Sequence, residues 1–415
     1  MNDQQLVEME ESMQHTKQNP TLALWASAIG FGVEGFDLLL LVFLLAPISA
    51  EFGLSTTRAA SLMTGTLIGA VTGGILFGLL GDIYGRVRVL TWTILCFGFF
   101  TALCAFAHGY WQLLAFRSFA GLGFGGEFGV GLALVAETWP AEMRARVSSY
   151  VALGGQVGIL AAAFSTPWLL PHIGWRGMFL LGVFPVLLSF GLRRFIPEPA
   201  EFVAAQRHKR TESPITALFR DRLTTKHSIG LIILCSIQQV GYYGLMTWLP
   251  YYLMSKHGLA LTKSAVWTGV TVIGMSCGIW VFGQLADRIG RRPVFLVFMT
   301  GAAVMVVVYS HLQSPTALLF GGAVMGIFVN GMLGGYGTLI SDLYPSEVRS
   351  TAQNLFFNIG RAIGGLGPLM IGAMAARYSF TVAIGILSVL YVLDMAALIF
   401  LLPETGPSAQ TPVKA

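Results

Sequence analysis

Two stretches of this chain match each other at a fixed spacing of 205 residues. Gly78-Leu79-Leu80-Gly81-Asp82-Ile83-Tyr84-Gly85-Arg86 returns as Gly283-Gln284-Leu285-Ala286-Asp287-Arg288-Ile289-Gly290-Arg291. The same spacing carries Glu137 to Asp342, Pro140 to Pro345, Glu142 to Glu347 and Arg144 to Arg349. One spacing without drift from residue 78 to residue 144 is an internal duplication, so the fold must be two similar halves. Charge decides what kind of halves. Only 11% of the residues are charged, 55% are hydrophobic and the mean hydropathy is +0.70, whereas soluble domains carry about 25% charge. Such a chain cannot cover a water-facing surface. It is a membrane protein, and its 50 glycines suit helices that approach closely in lipid.

A spanning helix needs about 20 mostly apolar residues. Twelve such runs lie near 21–48, 58–80, 88–108, 110–137, 147–170, 175–196, 227–254, 264–286, 292–311, 314–342, 350–376 and 379–402. The expected organisation is a cytoplasmic tail over 1–20 and a six-helix bundle over 21–196. A cytoplasmic loop over 197–226, a second bundle over 227–402 and a tail over 403–415 follow. Met1 to Pro20 is polar and acidic, with no basic start leading into a short apolar core, so it does not read as a cleavable signal. With the N-terminus in the cytoplasm, that side holds 18 of the 25 Lys and Arg residues, including the loop cluster from Arg193 to Lys226, and the outer loops hold five. This bias orients both termini inward. The net charge of +5 therefore reports orientation, not nucleic-acid binding. Cys96, Cys104, Cys235 and Cys277 sit in apolar runs without metal or disulfide spacing, and read as packing residues.

Two basic residues, Arg117 and Arg361, fall inside apolar helices, as do several acids. A charge near the bilayer centre costs at least ~2.5–3.5 kcal/mol on insertion scales, so each is a candidate site residue or a structural ion pair. Glu34 and Asp37 share a face of helix 1. Asp37 is roughly 16 Å below the outer end at ~1.5 Å per residue, near the midplane. Two close carboxylates in a low dielectric suit the capture and release of a proton. Arg117 and Glu127 lie in helix 4, with Arg117 within side-chain reach of the depth of Asp37 and Glu127 near that of Glu34. Arg361 lies in helix 11 near the midplane, with Asn354 and Asn358 preceding it on the same side. Its planar fork suits a carboxylate; the alternative is a structural pair with Glu34, Asp37 or Asp394. Helix 7 brings Gln238, Gln239, Tyr242, Tyr243 and Trp248, a set suited to a small organic molecule, although Trp248 reads equally as an interface-belt residue.

The duplication supplies a further test. Shifted by 205, Asp37 maps to Tyr242, Glu34 to Gln239, Glu127 to Met332 and Arg117 to Gly322, while Arg361 maps back to Gln156. Each of these membrane charges is private to one half. The asymmetry points to proton handling by Glu34, Asp37, Arg117 and Glu127 in the first half. Anion holding falls to Arg361, Asn358, Gln238, Gln239, Tyr242 and Tyr243, with Gln156 as the counterpart position.

Twelve helices in two six-helix repeats, with Gly-x3-Asp-x2-Gly-Arg between helices 2 and 3 and again between helices 8 and 9, resemble the major facilitator superfamily. The expected fold class is therefore an all-α membrane protein of two pseudo-symmetric six-helix bundles. Asp82, Arg86, Glu137 and Arg144, with Asp287, Arg291, Asp342 and Arg349, stand at the cytoplasmic helix ends. By resemblance they latch the halves together when the outside is open. Glu34-Gly35-Phe36-Asp37 is similar to a signature of the aromatic acid:proton symporters, with Glu in place of the first Asp. Gly123-Phe124-Gly125-Gly126-Glu127-Phe128-Gly129-Val130-Gly131 followed by Glu137-Thr138-Trp139-Pro140 resembles the sialate and monocarboxylate:proton symporters. The resemblance implies an inner-membrane bacterial importer of a small organic acid, with the proton as coupling ion and no other cofactor. Asp37 and Arg117 would serve proton coupling and Arg361 the substrate carboxylate. A monomer in the bilayer is expected, with no metal and no nucleic acid.

Three rivals stay open. Pro197-Glu198-Pro199 and Pro403-Glu404-Thr405 resemble motifs of the sugar porters, which take neutral substrates. A drug/proton antiporter is less well matched, because helix 5 lacks a proline-rich motif. The third, from a different class, is a non-transporting receptor or membrane enzyme; an enzyme is not expected, since no nucleophile–base set, metal spacing or phosphate loop supports one.

Overall fold

The computed structural model describes residues 19–206, 213–257 and 261–405. Residues 1–18, 207–212 and 406–415 of the expected tails and central loop lie outside the described part. The chain is almost wholly helical. In order come α1 (Pro20–Phe52), α2 (Thr56–Tyr84), α3 (Arg86–Cys104), α4 (Tyr110–Gly125), α5 (Glu127–Thr138), α6 (Arg144–Leu181) and α7 (Val183–Arg193). Two short helices follow, α8 (Ala200–Gln206) and α9 (Pro214–Ala217). Then come α10 (Arg222–His257), α11 (Leu261–Ile289), α12 (Arg291–His311), α13 (Pro315–Gly331), α14 (Leu333–Leu343), α15 (Ser346–Gly364), α16 (Gly367–Arg377) and α17 (Phe380–Leu401).

Among the described residues, eleven helical stretches are long and apolar enough to cross a membrane. The run expected over 175–196 is in pieces too short to count alone. Gly174 adopts φ 64° inside α6, a left-handed geometry that favours glycine. It breaks α6 there, and Gly182 separates the remainder from α7. Helix starts are fixed by local chemistry. Asn19, Ser55, Ser314 and Ser379 each accept a hydrogen bond from the backbone amide three residues on, satisfying donors that a helix cannot pair internally.

Two compact units form. The first holds Met1–Val147, Gly154–Leu218 and Tyr344–Leu355; the second holds Ser148–Leu153, Phe219–Leu343 and Phe356–Ala415. Within each, small residues set the helix spacing. In the first, methyl groups added at Gly69 and Gly73 of α2 would strike the carbonyls of Ser118 and Leu122, and one at Gly121 would strike that of Thr66. In the second, Gly274 and Gly278 of α11 stand in the same relation to Ala323 and Ile327, and Gly326 to Thr271. All six partners of the first set reappear 205 residues on, so the duplication extends from the loop motif to the backbone contacts of the bundles. Close approach of this kind drives association where lipid offers no hydrophobic gain.

Candidate functional site

In the first unit, Asp37 and Arg117 form a buried two-pronged pair. Arg117 donates from Nη1 to Asp37 Oδ1 at 3.0 Å and from Nη2 to Asp37 Oδ2 at 2.6 Å. Its Nε donates to Thr66 Oγ1 at 3.3 Å. Arg117 is fully buried and Asp37 nearly so. The parallel N–H···O geometry of a guanidinium on a carboxylate is both strong and directional. Glu34, one turn away on α1, is also buried. The pairing of Asp37 with a cation, rather than with Glu34 alone, is the main electrostatic fact of this half.

A second pair joins α5 and α7. Arg193 Nη2 donates to Glu127 Oε2 at 2.6 Å and Nη1 to Glu127 Oε1 at 3.1 Å. Thr93 Oγ1 donates to Glu127 Oε1 at 2.5 Å, and Arg193 also donates to the Leu90 carbonyl. The break between α4 and α5 at Gly126 puts Glu127 in the first turn of α5, where the helix dipole favours a negative charge. This corrects the reading of Arg193 as one of the cytoplasmic loop charges. It ends α7, and its guanidinium turns inward because Glu127 gives it a partner that lipid or packed apolar side chains would not. The sequence signal was its place at the end of an apolar run, before Pro197.

In the second unit, Gln238 Nε2 donates to Asn330 Oδ1 at 2.8 Å, which adds Asn330 to the polar residues of this half. The rings of Tyr242 and Tyr243 meet edge-on at 5.2 Å. Arg361 is buried, with its guanidinium carbon 5.1 Å from the centre of the Phe357 ring. Gln239 and Asn358 are buried in this unit, while Gln156 is buried in the first. Trp248 Nε1 donates to the Pro368 carbonyl at 2.7 Å, so its polar edge is engaged within the fold. Asp394 is fully buried, and neither of its carboxyl oxygens takes a hydrogen bond among the described residues.

The duplicated loops hold dense charge networks. Asp82 accepts from the backbone amides of Ser350 and Thr351 at 3.1 and 2.7 Å, near the start of α15. Arg86 bridges Asp82 at 2.9 Å and Glu137 at 2.8 Å, and donates to the Gly81 carbonyl at 2.6 Å. Arg349 joins Glu137 at 3.2 Å and Glu201 at 2.7 Å; Arg144 meets Glu201 at 3.4 Å. In the second copy, Arg291 lies 3.5 Å from Asp287 and 3.3 Å from Asp342.

Two glutamates cap the helices that follow these loops. Glu198 accepts from the amides of Val87 and Arg88 at 3.2 and 2.9 Å. Glu404 accepts from those of Arg291 and Arg292 at 2.9 and 3.1 Å. Burial pushes the Glu198 carboxyl up from the ordinary glutamate value, against the downward pull of the amides it accepts. The motif glycines Gly85 and Gly290 adopt φ 114° and 101°, and a side chain at Gly85 would strike the Glu198 carboxylate. Gly85→Ala is expected to destabilise the protein by about 1–3 kcal/mol through backbone strain. A fall in the thermal unfolding midpoint checks this, and an unchanged midpoint would refute it.

The profile of the Major Facilitator Superfamily matches residues 26–285 and 267–415. A Haemophilus influenzae protein named for metabolite transport is 57% identical over 389 residues, covering 92% of this chain and 96% of its own. A cis,cis-muconate transport protein of Acinetobacter baylyi is 31% identical over 365 residues, covering 86% of this chain and 88% of its own. Among solved structures, a proton:xylose symporter bound to 6-bromo-6-deoxy-D-glucose superposes with a TM-score of 0.78 at 17% identity. That match covers 93% of this chain and 96% of the symporter, and it shows a shared fold.

Proposed function

Since this chain belongs to the Major Facilitator Superfamily of membrane transporters, we propose that it carries a small organic acid anion inward together with protons, by alternating access. The observation that carries the reading is the buried Asp37–Arg117 pair. A carboxylate clamped by a guanidinium in the membrane interior is a charge switch. When Asp37 takes a proton, the attraction to Arg117 falls and the helices bearing them, α1 and α4, can change their packing. When Asp37 loses the proton, the pair re-forms. The cargo's negative charge calls for a cation elsewhere, and Arg361, with Asn358, Gln238, Gln239, Tyr242 and Tyr243, offers one. The cis,cis-muconate relative supports a carboxylate cargo. The loop networks around Asp82, Arg86, Glu137, Arg144 and Arg349, and around Asp287, Arg291 and Asp342, serve in this reading as conformational latches. The basic bias of the sequence supports cytoplasmic termini; the bacterial inner-membrane location and the monomeric state in this reading come from the family resemblance.

Ligand-linked stability tests the substrate class. Purified protein is heated with cis,cis-muconate, aromatic acids, sialate or lactate, and separately with neutral sugars. A ligand at 100 times its Kd adds about 2.7 kcal/mol to stability, so at least one carboxylate should raise the unfolding midpoint. Arg361→Ala should remove that rise. Stabilisation by a sugar alone would reject the organic-acid reading, and a carboxylate-induced rise that survives Arg361→Ala would remove Arg361 from the site.

A further inference from the structure

The two carboxylate–arginine pairs of the first unit lie along one face of α1. Gly30, Glu34 and Asp37 are spaced four and three apart and so line up on that helix. A methyl at Gly30 would strike Glu127 Oε2 and Arg193 Nη2, so the glycine is what admits that pair against α1. Glu34 follows about 6 Å further along the axis, and Asp37 about 4.5 Å beyond it. Glu34 is 2% exposed and Asp37 3%. Contacts along this line bring ionisable groups from three neighbours and one flank. They are Arg117 of α4, Glu127 of α5, Arg193 of α7 and, beside Arg117, Cys104 of α3. Helix α2 contributes Thr66. Helix α6 meets α1 through Gly154, Gly155 and Gly158, which carry nothing that titrates.

We propose that Glu34 is a proton relay between the Asp37–Arg117 and Glu127–Arg193 pairs, and that Arg193 is the positioning residue that holds Glu127 to receive the proton. The inference rests on the proton-coupled reading above. In the first transfer, the O–H bond on Asp37 breaks as one forms on a Glu34 carboxylate oxygen. In the second, the Glu34 O–H bond breaks as one forms on Glu127. Glu127 then gives the proton to water on the side where α1 begins. Both guanidinium groups keep all their protons, and no electrons change hands. Arg193 suits its part because it has two anchors. Its bond to the Leu90 carbonyl keeps it in place when Glu127 becomes neutral, so the carboxyl returns to one position after each release. Thr93 holds the same oxygen from α3.

The test needs no substrate, so it stands or falls apart from the organic-acid reading. Protein in liposomes is titrated and its infrared difference spectra record the carbonyl band of protonated carboxyl groups. Asp37→Asn, Glu34→Gln and Glu127→Gln assign the three bands. Arg193→Gln, which removes the bonds to Glu127 and the Leu90 carbonyl, is expected to move the Asp37 midpoint by about half a pH unit or more through coupled titration. Arg193→Lys should restore the midpoint. In a Glu34→Gln background the effect of Arg193→Gln on Asp37 should vanish. A Glu34 band absent at every pH, or an Asp37 midpoint that shifts equally with and without Glu34, would overturn the relay. If Arg193→Gln does not fold, Gly30→Ala displaces the same pair without removing a charge, and the same comparison is read with it.

Discussion

Asp37→Asn is expected to abolish accumulation of the organic acid driven by a proton gradient while preserving exchange of internal for external substrate. Asparagine mimics the protonated carboxyl in shape and neutrality, so the carrier is held in the state that reorients. It can still cycle loaded, but it has no step at which a proton must bind or leave. The two measurements are uptake into vesicles with an acidic exterior, and counterflow without a gradient. Gradient-driven uptake that survives in the variant would remove Asp37 from coupling and with it the proposed switch. A stability loss is also expected, because Arg117 remains buried. Leaving one partner of a buried pair uncompensated costs about 3–5 kcal/mol, and the asparagine oxygen, which still accepts one bond from Arg117, keeps the loss toward the lower end. Counterflow serves as the check that the folded carrier is present.

The second large effect is an asymmetry between the duplicated loops. Arg86→Ala removes a guanidinium that lies 2.9 Å from Asp82 and 2.8 Å from Glu137 and stacks 4.7 Å from the centre of the Phe202 ring. It takes from the buried Asp82 a positive charge that the Ser350 and Thr351 amides do not replace, and leaves Glu137 facing Arg349 at 3.2 Å, so a loss of about 3–5 kcal/mol is expected. The matching change, Arg291→Ala, breaks longer contacts of 3.5 and 3.3 Å and is expected to cost about half as much. Thermal or denaturant unfolding of the two variants side by side measures the difference. Equal losses would mean that the contact lengths do not report the strength of these networks.

Much of this organisation could be read from the residues. The repeated motif and the scarcity of charge led to paired six-helix bundles because both act over the whole chain. Counting residues at a fixed rise per helix placed Asp37 and Arg117 at compatible depth, and in the structure they share two hydrogen bonds. Arg193 escaped because its partner, Glu127, is 66 residues away. A basic residue at the end of an apolar run looks the same whether it turns toward water or back into the bundle. Glu198 and Glu404 were visible only as parts of a resemblance. Their capping role depends on where a loop returns, which no local pattern encodes. Asn330 was missed for the same reason, since a single amide in an apolar helix gains meaning only beside Gln238.

The capping glutamates also show what a duplicated gene holds constant as its copies diverge. Shifting Glu198 by the common spacing of 205 lands on Pro403, one residue short of Glu404. The amides also slip. Arg88 of the first copy corresponds to Pro293 of the second, and proline has no N–H to give. Glu404 instead takes the amide one position earlier, so its pair is Arg291 and Arg292. Two changes that would each break a residue-for-residue match leave the helix end equally well satisfied. Inheritance here preserved a chemical obligation, a carboxylate over the first free amides of a helix, and let the address of each participant wander by one. Ancient repeats in other chains will be undercounted wherever homology is sought by position alone.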